Sequence, residues 1–475
     1  MNKELIIGRK NEIADLERSY ESNEFSLVLV KGRRRVGKTF LINHVFGDRF
    51  TFKFTGQHKK PVAKQLAKFA EKLSECSGSP HAFANWSEAF LALKKYLDGL
   101  PEERRLVIFF DELPWLDTPK SDFLSEFTDF LNDYATAKDN LLLIVCGSSS
   151  MWIEEKFTSD KGGLYNRHTE AISLLPFSLK ETEEYLKSKG AFWSRYDIAI
   201  CYMALGGTPY YLNKIDSRLT VSENLDRLFF GRNAKLADEF ELLCETLFSR
   251  ETLSRRILDL LVKENHGLNR DDIAKKCEVS DGGVLTEALR GLTGSGFVSE
   301  SVYYLGTKKK NVYAICDYFM LFYLRFVKGN GINDPHFWRN SYDSPSRRTW
   351  AGLSFERLCK DHLESIRHAL GISGVLSSFY SWRASPEADE GAQIDLVIDR
   401  QDKVVTLVEA KFYSEPFLIE KSYHAKLVHK VEAFRAALAP RRTVQLIFAS
   451  TYGIKRNEYC DIVSKTVTLD DLFLI

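Results

Sequence analysis

Two groups of residues in this chain have types and spacings that could do chemistry. The first is GRRRVGKT, in which Gly32, Gly37, Lys38 and Thr39 stand at the spacing G-x-x-x-x-G-K-[ST]. Glycines there let the backbone curl until successive N–H groups face one point, a concave seat for a polyphosphate. A helix beginning at once behind them adds its positive N-terminal end. Lys38 would then reach the β- and γ-phosphates, and the Thr39 hydroxyl would bind Mg²⁺. Arg33, Arg34 and Arg35 in the variable positions suit a polyanion or water equally well. Asp111 and Glu112 complete the group at the end of the apolar run LVIFF. Asp111 would hold the Mg²⁺ shell, and Glu112 would orient or deprotonate an attacking water. Arg167, in GGLYNR, is placed to stabilise transition-state charge within its own subunit or across to a neighbour.

The second group lies near the C-terminus. AQIDLVIDR and VVTLVEAKF read as adjacent strands, with Asp395 near the start of one and Glu409-Ala410-Lys411 ending the other. Residues two apart project from the same face of a strand, so Glu409 and Lys411 share a face. Neighbouring strands lie ~4.8 Å apart, so Asp395 can stand beside Glu409 where the register allows. Two carboxylates at ~4 Å repel by about 4 kcal/mol at an effective dielectric of 20. A bound cation, a shared proton or Lys411 itself must offset that repulsion. Mg²⁺ on Asp395 and Glu409, with Lys411 orienting water, would hydrolyse a phosphodiester. Glu154-Glu155-Lys156 also spells E-x-K, but no apolar strand leads into it.

These residues need elements to hold them. Leu27–Val30, Leu106–Phe110 and LLLIVCG are uninterrupted apolar runs, the pattern of parallel strands buried on both faces. Leu5 to Gly8 reads as a strand leading into an amphipathic helix with Ile13, Leu16 and Tyr20 on one side. Phe123, Phe127, Phe130 and Leu131 share a helical face. Helices are expected over 177–190 and 196–212, the second broken at Gly206, Gly207 and Pro209. From Glu251 the spacing predicts three helices, the second begun by Asn269 and the third, 281–292, capped by Ser280. A β-hairpin with GTKKKN at its tip follows, which makes a winged helix-turn-helix. Lys308, Lys309 and Lys310 could meet phosphates, while Glu287 on the third helix opposes its Arg290. This part either touches nucleic acid or couples its neighbours. GNGINDPHFWRNSYDSPS, residues 329–346, reads as an inter-domain connection.

Composition sets the frame. The chain has 475 residues, 44% hydrophobic and 28% charged, with a net charge of +1. Ordinary globular domains look like this, and any nucleic-acid contact must come from a local patch. The eight cysteines are scattered without a C-x-x-C pair, so they read as reduced thiols. No apolar run approaches the ~20 residues of a membrane span. The expected setting is the cytoplasm, without a membrane partner.

GRRRVGKT, FFDE, CGSSS, LYNRHTEAISLLPFS and GGTPYYL occur in the order that resembles the archaeal-type P-loop ATPases, near the AAA+ and STAND branches, which often carry a C-terminal DUF234 region. The resemblance implies ATP as the nucleotide, with Mg²⁺. It places Ile7 and Gly8 against the base, Ser148 (with Ser149 beside it) as a sensor of the γ-phosphate, and Pro209 in a lid motif. The nucleotide-contacting set is then Ile7, Gly8, Gly32, Arg35, Val36, Gly37, Lys38, Thr39, Phe40, Ser148 and Pro209, with Cys146 where the family often has threonine. The C-terminal strands resemble the PD-(D/E)XK nuclease fold, with Glu356 as the helix acid and Asp395, Glu409 and Lys411 as the core. Pro386 lies well before Asp395, so the "PD" pair is not literal.

The fold class expected is therefore α/β and multidomain. A P-loop parallel-sheet ATPase core (1–175) carries a helical lid (176–245), a winged helix (246–328) and an α/β/α restriction-endonuclease-like domain (347–475). The function expected is an ATPase that regulates a Mg²⁺-dependent nuclease acting on nucleic acid, DNA before RNA, in a monomer or a homo-oligomer. The alternative is a nucleotide-dependent switch that binds DNA or protein and does not cut.

Overall fold

The computed structural model describes residues 6–147, 150–158, 163–247, 253–304, 311–329, 334–384, 392–438 and 442–475. Ser148, Ser149, the lysines 308–310 and Pro386 lie outside them. Two units are present, Met1–Pro176 and Phe177–Ile475.

The first unit runs α1 (Lys10–Glu21), β1 (Ser26–Lys31), α2 (Lys38–Phe46), β2 (Phe52–Thr55), α3 (Val62–Ser77), α4 (Trp86–Asp98), β3 (Leu106–Asp111), α5 (Phe123–Asp133), β4 (Leu141–Gly147), α6 (Ser150–Ile153) and β5 (Glu170–Ser173). Its strands form one parallel sheet in the order β2-β3-β4-β1-β5. The uninterrupted apolar runs have a simple cause. Leu27, Leu29, Ile108, Phe110, Leu143 and Val145 face a core with α3, α4 and α5. The intervening Val28, Val30, Val107, Phe109, Leu142 and Ile144 face a second core with α1 and α2. Both faces of each strand are covered, so the period of two is hidden. All five strands point the same way, so Gly32, Glu112 and the end of β4 share one edge.

One expectation fails here. Residues 6–9 form no strand, because Gly8 and Arg9 are left-handed, with φ of 68° and 60°. Arg9 is buried and turns its guanidinium to the Leu175 carbonyl at 2.5 Å and to Glu12 at 3.3 Å. That anchor sets the entry to α1 and ends any extended run.

The second unit begins with α7 (Leu179–Ser188), α8 (Arg195–Leu205), α9 (Pro209–Leu212), α10 (Val221–Phe229) and α11 (Glu239–Leu247). The expected break in the second helix is the turn between α8 and α9, with Gly206 and Gly207 at φ 69° and 61°. Next come α12 (Leu253–Leu261), β6 (Leu268–Asn269), α13 (Arg270–Lys276), α14 (Gly283–Gly294), β7 (Val298–Val302) and β8 (Asn311–Ile315). This is the arrangement of three helices and a hairpin. Asn269 caps α13 as expected, accepting from the Asp272 N–H. Ser280 does not cap α14: Gly282 does, because Asp281 and the Gly282 carbonyl are held by Arg270.

The remainder is α15 (Tyr318–Phe322), α16 (Phe337–Asn340), α17 (Pro345–Asp361), α18 (Leu363–Leu370), β9 (Ser377–Arg383), β10 (Gln393–Arg400), β11 (Val404–Lys411), β12 (Phe417–Leu418), α19 (Lys421–Ala437), β13 (Thr443–Ser450), β14 (Ile454–Lys455) and β15 (Lys465–Thr468). A five-stranded sheet runs β15-β13-β11-β10-β9. The β9-β10-β11 meander is antiparallel, while β13 and β15 join in parallel. Leu396, Ile398, Val408 and Ala410 pack with Phe355 and Leu358 of α17 on one face. Val397, Val405, Leu407 and Phe448 pack with Leu427, Val431 and Phe434 of α19 on the other.

Residues 334–346 are more than a connection. Trp338 is fully buried, and Asp226 of α10 accepts from its N–H at 2.8 Å and from Arg339 at 2.7 Å. The glycines, prolines and asparagines announce turns, but Phe337 and Trp338 among them supply apolar area that outweighs the local signal.

Candidate functional site

The loop after β1 is shaped at two glycines. Gly32 has φ +153°, and a Cβ there would lie 2.3 Å from the Leu174 carbonyl oxygen. Gly37, at φ 95°, caps α2. Arg35 between them is also left-handed (φ 74°), and Val36 is buried. Lys38, the first residue of α2, turns back into the loop and donates to the Gly32 and Arg33 carbonyls at 2.7 and 3.0 Å. The Thr39 hydroxyl donates to Asp111 at 3.0 Å from Oδ2. Burial, with Glu112 next to it, raises the Asp111 carboxyl above its usual range, while Thr39, Cys146 and Lys38 oppose the shift. Glu112 follows at φ 50°, its carbonyl so close to Gly56 that a Cβ there would lie 2.7 Å away. The structure thus brings Gly32, Lys38, Thr39, Asp111 and Glu112 to one edge. Phe40 is 61% exposed on the first turn of α2. Ile7 and Gly8 lie half-buried before α1, and Arg167 is exposed beyond a turn. Pro209 opens α9 in the second unit.

The C-terminal centre is built from three elements. The pairing Leu396↔Val408 puts Asp395 and Glu409 one step further along the same two strands. Pairing of β10 with β9 is irregular between Ile394 and Val397, so Asp395 sits on a bulge, and Ser381 Oγ donates to its carbonyl at 2.8 Å. Bulges re-aim side chains. Asp395 accordingly lies within electrostatic reach of Glu356 and Lys360 on α17. Burial, then Asp395, pushes the Glu356 carboxyl up to about 8, against Lys411 and Lys360. Glu409 behaves in the opposite way. Burial would raise its carboxyl, but Lys411 and Lys430, each at 2.9 Å, and the Tyr423 hydroxyl at 2.6 Å bring it down to about 2. Lysine pairing, one of the three ways to offset the crowding of acids, is formed at Glu409. Among the described residues no three His, Cys, Asp or Glu side chains are gathered as ligands of one ion. The other E-x-K, Glu154 to Lys156, lies in a helical stretch, with Glu154 paired to Lys31 at 2.7 Å.

Residues 6–215 match the model of a family described as an ATPase domain predominantly from Archaea. This part of the chain is similar to that ATPase family. An uncharacterised protein of Methanocaldococcus jannaschii is 26% identical over 421 residues, covering 86% of this chain and 88% of that protein. An uncharacterised ATP-binding protein of the same organism is 47% identical over 38 residues, 8% of this chain and 64% of that protein. Among solved structures, the Walker-type ATPase of Pyrococcus abyssi is similar at 20% identity and a TM-score of 0.46, covering 68% of this chain and 97% of that one. No helix among the described residues is long and apolar enough to cross a membrane.

Sequence reasoning missed several residues around both sites. In the first unit, His58 beyond β2 lies 5.3 Å from the Trp115 ring. Burial, Lys59 and Arg34 lower its pKa while Glu112 opposes them. Gln65 is buried and holds that segment, donating to the Gln57 and Trp115 carbonyls. In the second unit, Tyr423 and Lys430 were missed. They stand seven residues apart, two turns along α19, a spacing that puts them on one side of the helix but marks no site by itself.

Proposed function

We propose that this chain is an ATPase whose nucleotide state governs a metal-dependent nuclease centre on the C-terminal sheet, acting on nucleic acid. The observation that carries the reading is the convergence of Glu356, Asp395, Glu409 and Lys411 from α17, β10 and β11.

At the first site, a buried acid crowded by Glu112 and bonded to a hydroxyl is an oxygen donor set that suits Mg²⁺. Thr39 and Asp111 would hold the ion, which neutralises phosphate charge when bound. Lys38 exchanges the Gly32 and Arg33 carbonyls for phosphate oxygens, and Glu112 takes the proton of the attacking water. Phe40 and Pro209 keep the contacts given by resemblance, and Arg167 the transition-state role read from its loop.

At the second site, the acids offer oxygen donors of the kind a divalent cation takes, and burial with Asp395 nearby holds the Glu356 carboxyl high. Asp395 and Glu409 would hold the ion that polarises a phosphodiester. Lys411, 23% exposed, orients water or the scissile phosphate.

Support for coupling comes from inside the second unit. The Gly207 carbonyl accepts from Phe177 N–H, and the Phe177 carbonyl accepts from the Tyr202 hydroxyl. Tyr202 packs edge-on to Tyr318 and His362. Tyr318 donates to Asp361 on α17, the helix of Glu356, at 2.7 Å. A lid that moves with nucleotide would therefore pull on the helix that carries an acid of the cutting centre.

The test is incubation of plasmid and oligonucleotides with Mg²⁺ or Mn²⁺, with and without ATP. Cleavage lost in Lys411→Ala with ATPase rate intact, and ATPase lost in Lys38→Ala, is the expected pattern. Absence of cleavage under every condition would leave the second reading, a nucleotide-dependent switch with a silent centre. The capture of Glu409 by Tyr423, Lys411 and Lys430 favours that alternative.

A further inference from the structure

We infer that the solvent face of α19 and the Tyr413 ring form a binding track for single-stranded nucleic acid. This rests on the C-terminal centre being the working site. Helix α19 carries Lys421, Lys426, Lys430 and Arg435 against one acid, Glu432, in a chain whose net charge is only +1. Leu427, Val431 and Phe434 fasten one side of it to the sheet, and Lys421, Lys426, His429 and Arg435 are exposed. Lys430 and Tyr423 reach from the same helix to Glu409 at 2.9 and 2.6 Å, and exposed Lys426, one turn before Lys430, adjoins the acid–lysine centre, while Lys421 and Arg435 flank the helix on its other side. A run of cations joined to an acid centre is complementary to a phosphate backbone.

The aromatic side chains say which kind of strand. Strand β11 delivers Glu409 and Lys411 to one face, and Tyr413 follows with 52% of its surface exposed. Its ring lies 5.0 Å from Phe417, which lies 5.3 Å from Tyr423. Phe412 between them turns away to Tyr196 and Phe355. An exposed ring supported from behind, two residues past Lys411, has the form of a stacking platform. Only an unpaired base can offer its face to such a ring, because in a duplex both faces are taken by neighbours. Phosphates along α19 and one base on Tyr413 would hold a single strand with a phosphodiester at Lys411.

The experiment is fluorescence anisotropy with the full chain in EDTA, using a labelled single-stranded DNA, its RNA equivalent and the DNA duplex, over a salt series. The single strands should bind at least about tenfold more tightly than the duplex, and the DNA and RNA arms identify which polymer is held. Lys421→Ala/Lys426→Ala/Arg435→Ala should weaken binding by tenfold or more and flatten the log–log salt slope by about two, at ~0.7 per single-strand phosphate. Tyr413→Ala should lower single-strand affinity at least about fivefold and leave duplex binding alone, with Tyr413→Phe restoring it. Wild-type affinity in both variants, duplex preference, or no binding by the native chain overturns the inference. Binding that behaves as expected without cleavage in Mg²⁺ or Mn²⁺ keeps the track and ends the nuclease reading. Cleavage indifferent to these substitutions does the reverse.

Discussion

Replacing Gly32 by alanine separates the curl of the nucleotide loop from its charge. The new Cβ would lie 2.3 Å from the Leu174 carbonyl oxygen and 3.2 Å from its carbon, at φ +153°. Leu174 is not free to retreat, because its N–H donates to the Lys31 carbonyl at 2.7 Å at the end of β1. Overpacking of this kind costs about 1–3 kcal/mol. A backbone conformation that side chains rarely adopt costs a further ~1–3 kcal/mol. The Gly32 carbonyl also holds Lys38 at 2.7 Å, so the strain falls on the loop that must receive phosphate. At ~1.4 kcal/mol per tenfold, even the low end of about 2 kcal/mol means ATP affinity falling some thirtyfold. Titration with a fluorescent ATP analogue at fixed Mg²⁺ reads this directly, and thermal unfolding without nucleotide shows how much the fold itself has lost. Gly47→Ala is the control, since φ is +50° there and nothing lies within 4 Å of the added carbon. It should weaken the domain slightly and leave affinity unchanged. Wild-type ATP affinity in Gly32→Ala would refute the reasoning, because the carbonyl collision would then have been absorbed at no cost to the seat.

Three further outcomes are expected. Thr39→Ala should raise the Mg²⁺ concentration needed for half-maximal ATPase rate, and Thr39→Ser should restore it, because the hydroxyl bonded to Asp111 at 3.0 Å is the group that matters. Trp338→Ala should cost the second unit about 3–5 kcal/mol by urea unfolding, since the ring is fully buried, 5.3 Å from Trp350 and capped by Arg347 at 3.9 Å. His362 accepts from Leu179 N–H at 3.0 Å and donates to the Leu358 carbonyl at 2.9 Å, and burial lowers its pKa from 6.5. The unfolded chain therefore takes up the proton first, so this residue's contribution is intact above about pH 6.5 and declines as pH falls towards the lower folded value. Urea unfolding of the second unit from pH 7.5 to 5 should show that decline, and His362→Gln should remove that part of it.

What the sequence disclosed depended on how local the signal was. Gly32 to Thr39 are contiguous, and the turn they make follows from their own backbone freedom, so no distant contact is needed to read it. Asp111 was legible because LVIFF alternates between two cores, α3–α5 on one side and α1–α2 on the other, and the acids come where that alternation stops. Residues 6–9 misled, since Ile6 and Ile7 look extended while Arg9 is claimed by Leu175, far along the chain. The same limit explains the C-terminal centre. Glu409 and Lys411 share a strand face by a period of two, whereas Tyr423 and Lys430 meet Glu409 only after α19 has packed Leu427, Val431 and Phe434 on the sheet. Before packing, a tyrosine and a lysine seven apart are indistinguishable from any solvated helix face. Asp395 carries a still less visible cause. A strand of strict alternation would aim it by the parity of Ile394 and Leu396, yet Ile394 and Val397 fall in one core, and the bulge between them resets where the carboxylate points. Parity counting along a strand finds the acids of such a centre, and only the pairing of β10 with β9 determines which helix they confront.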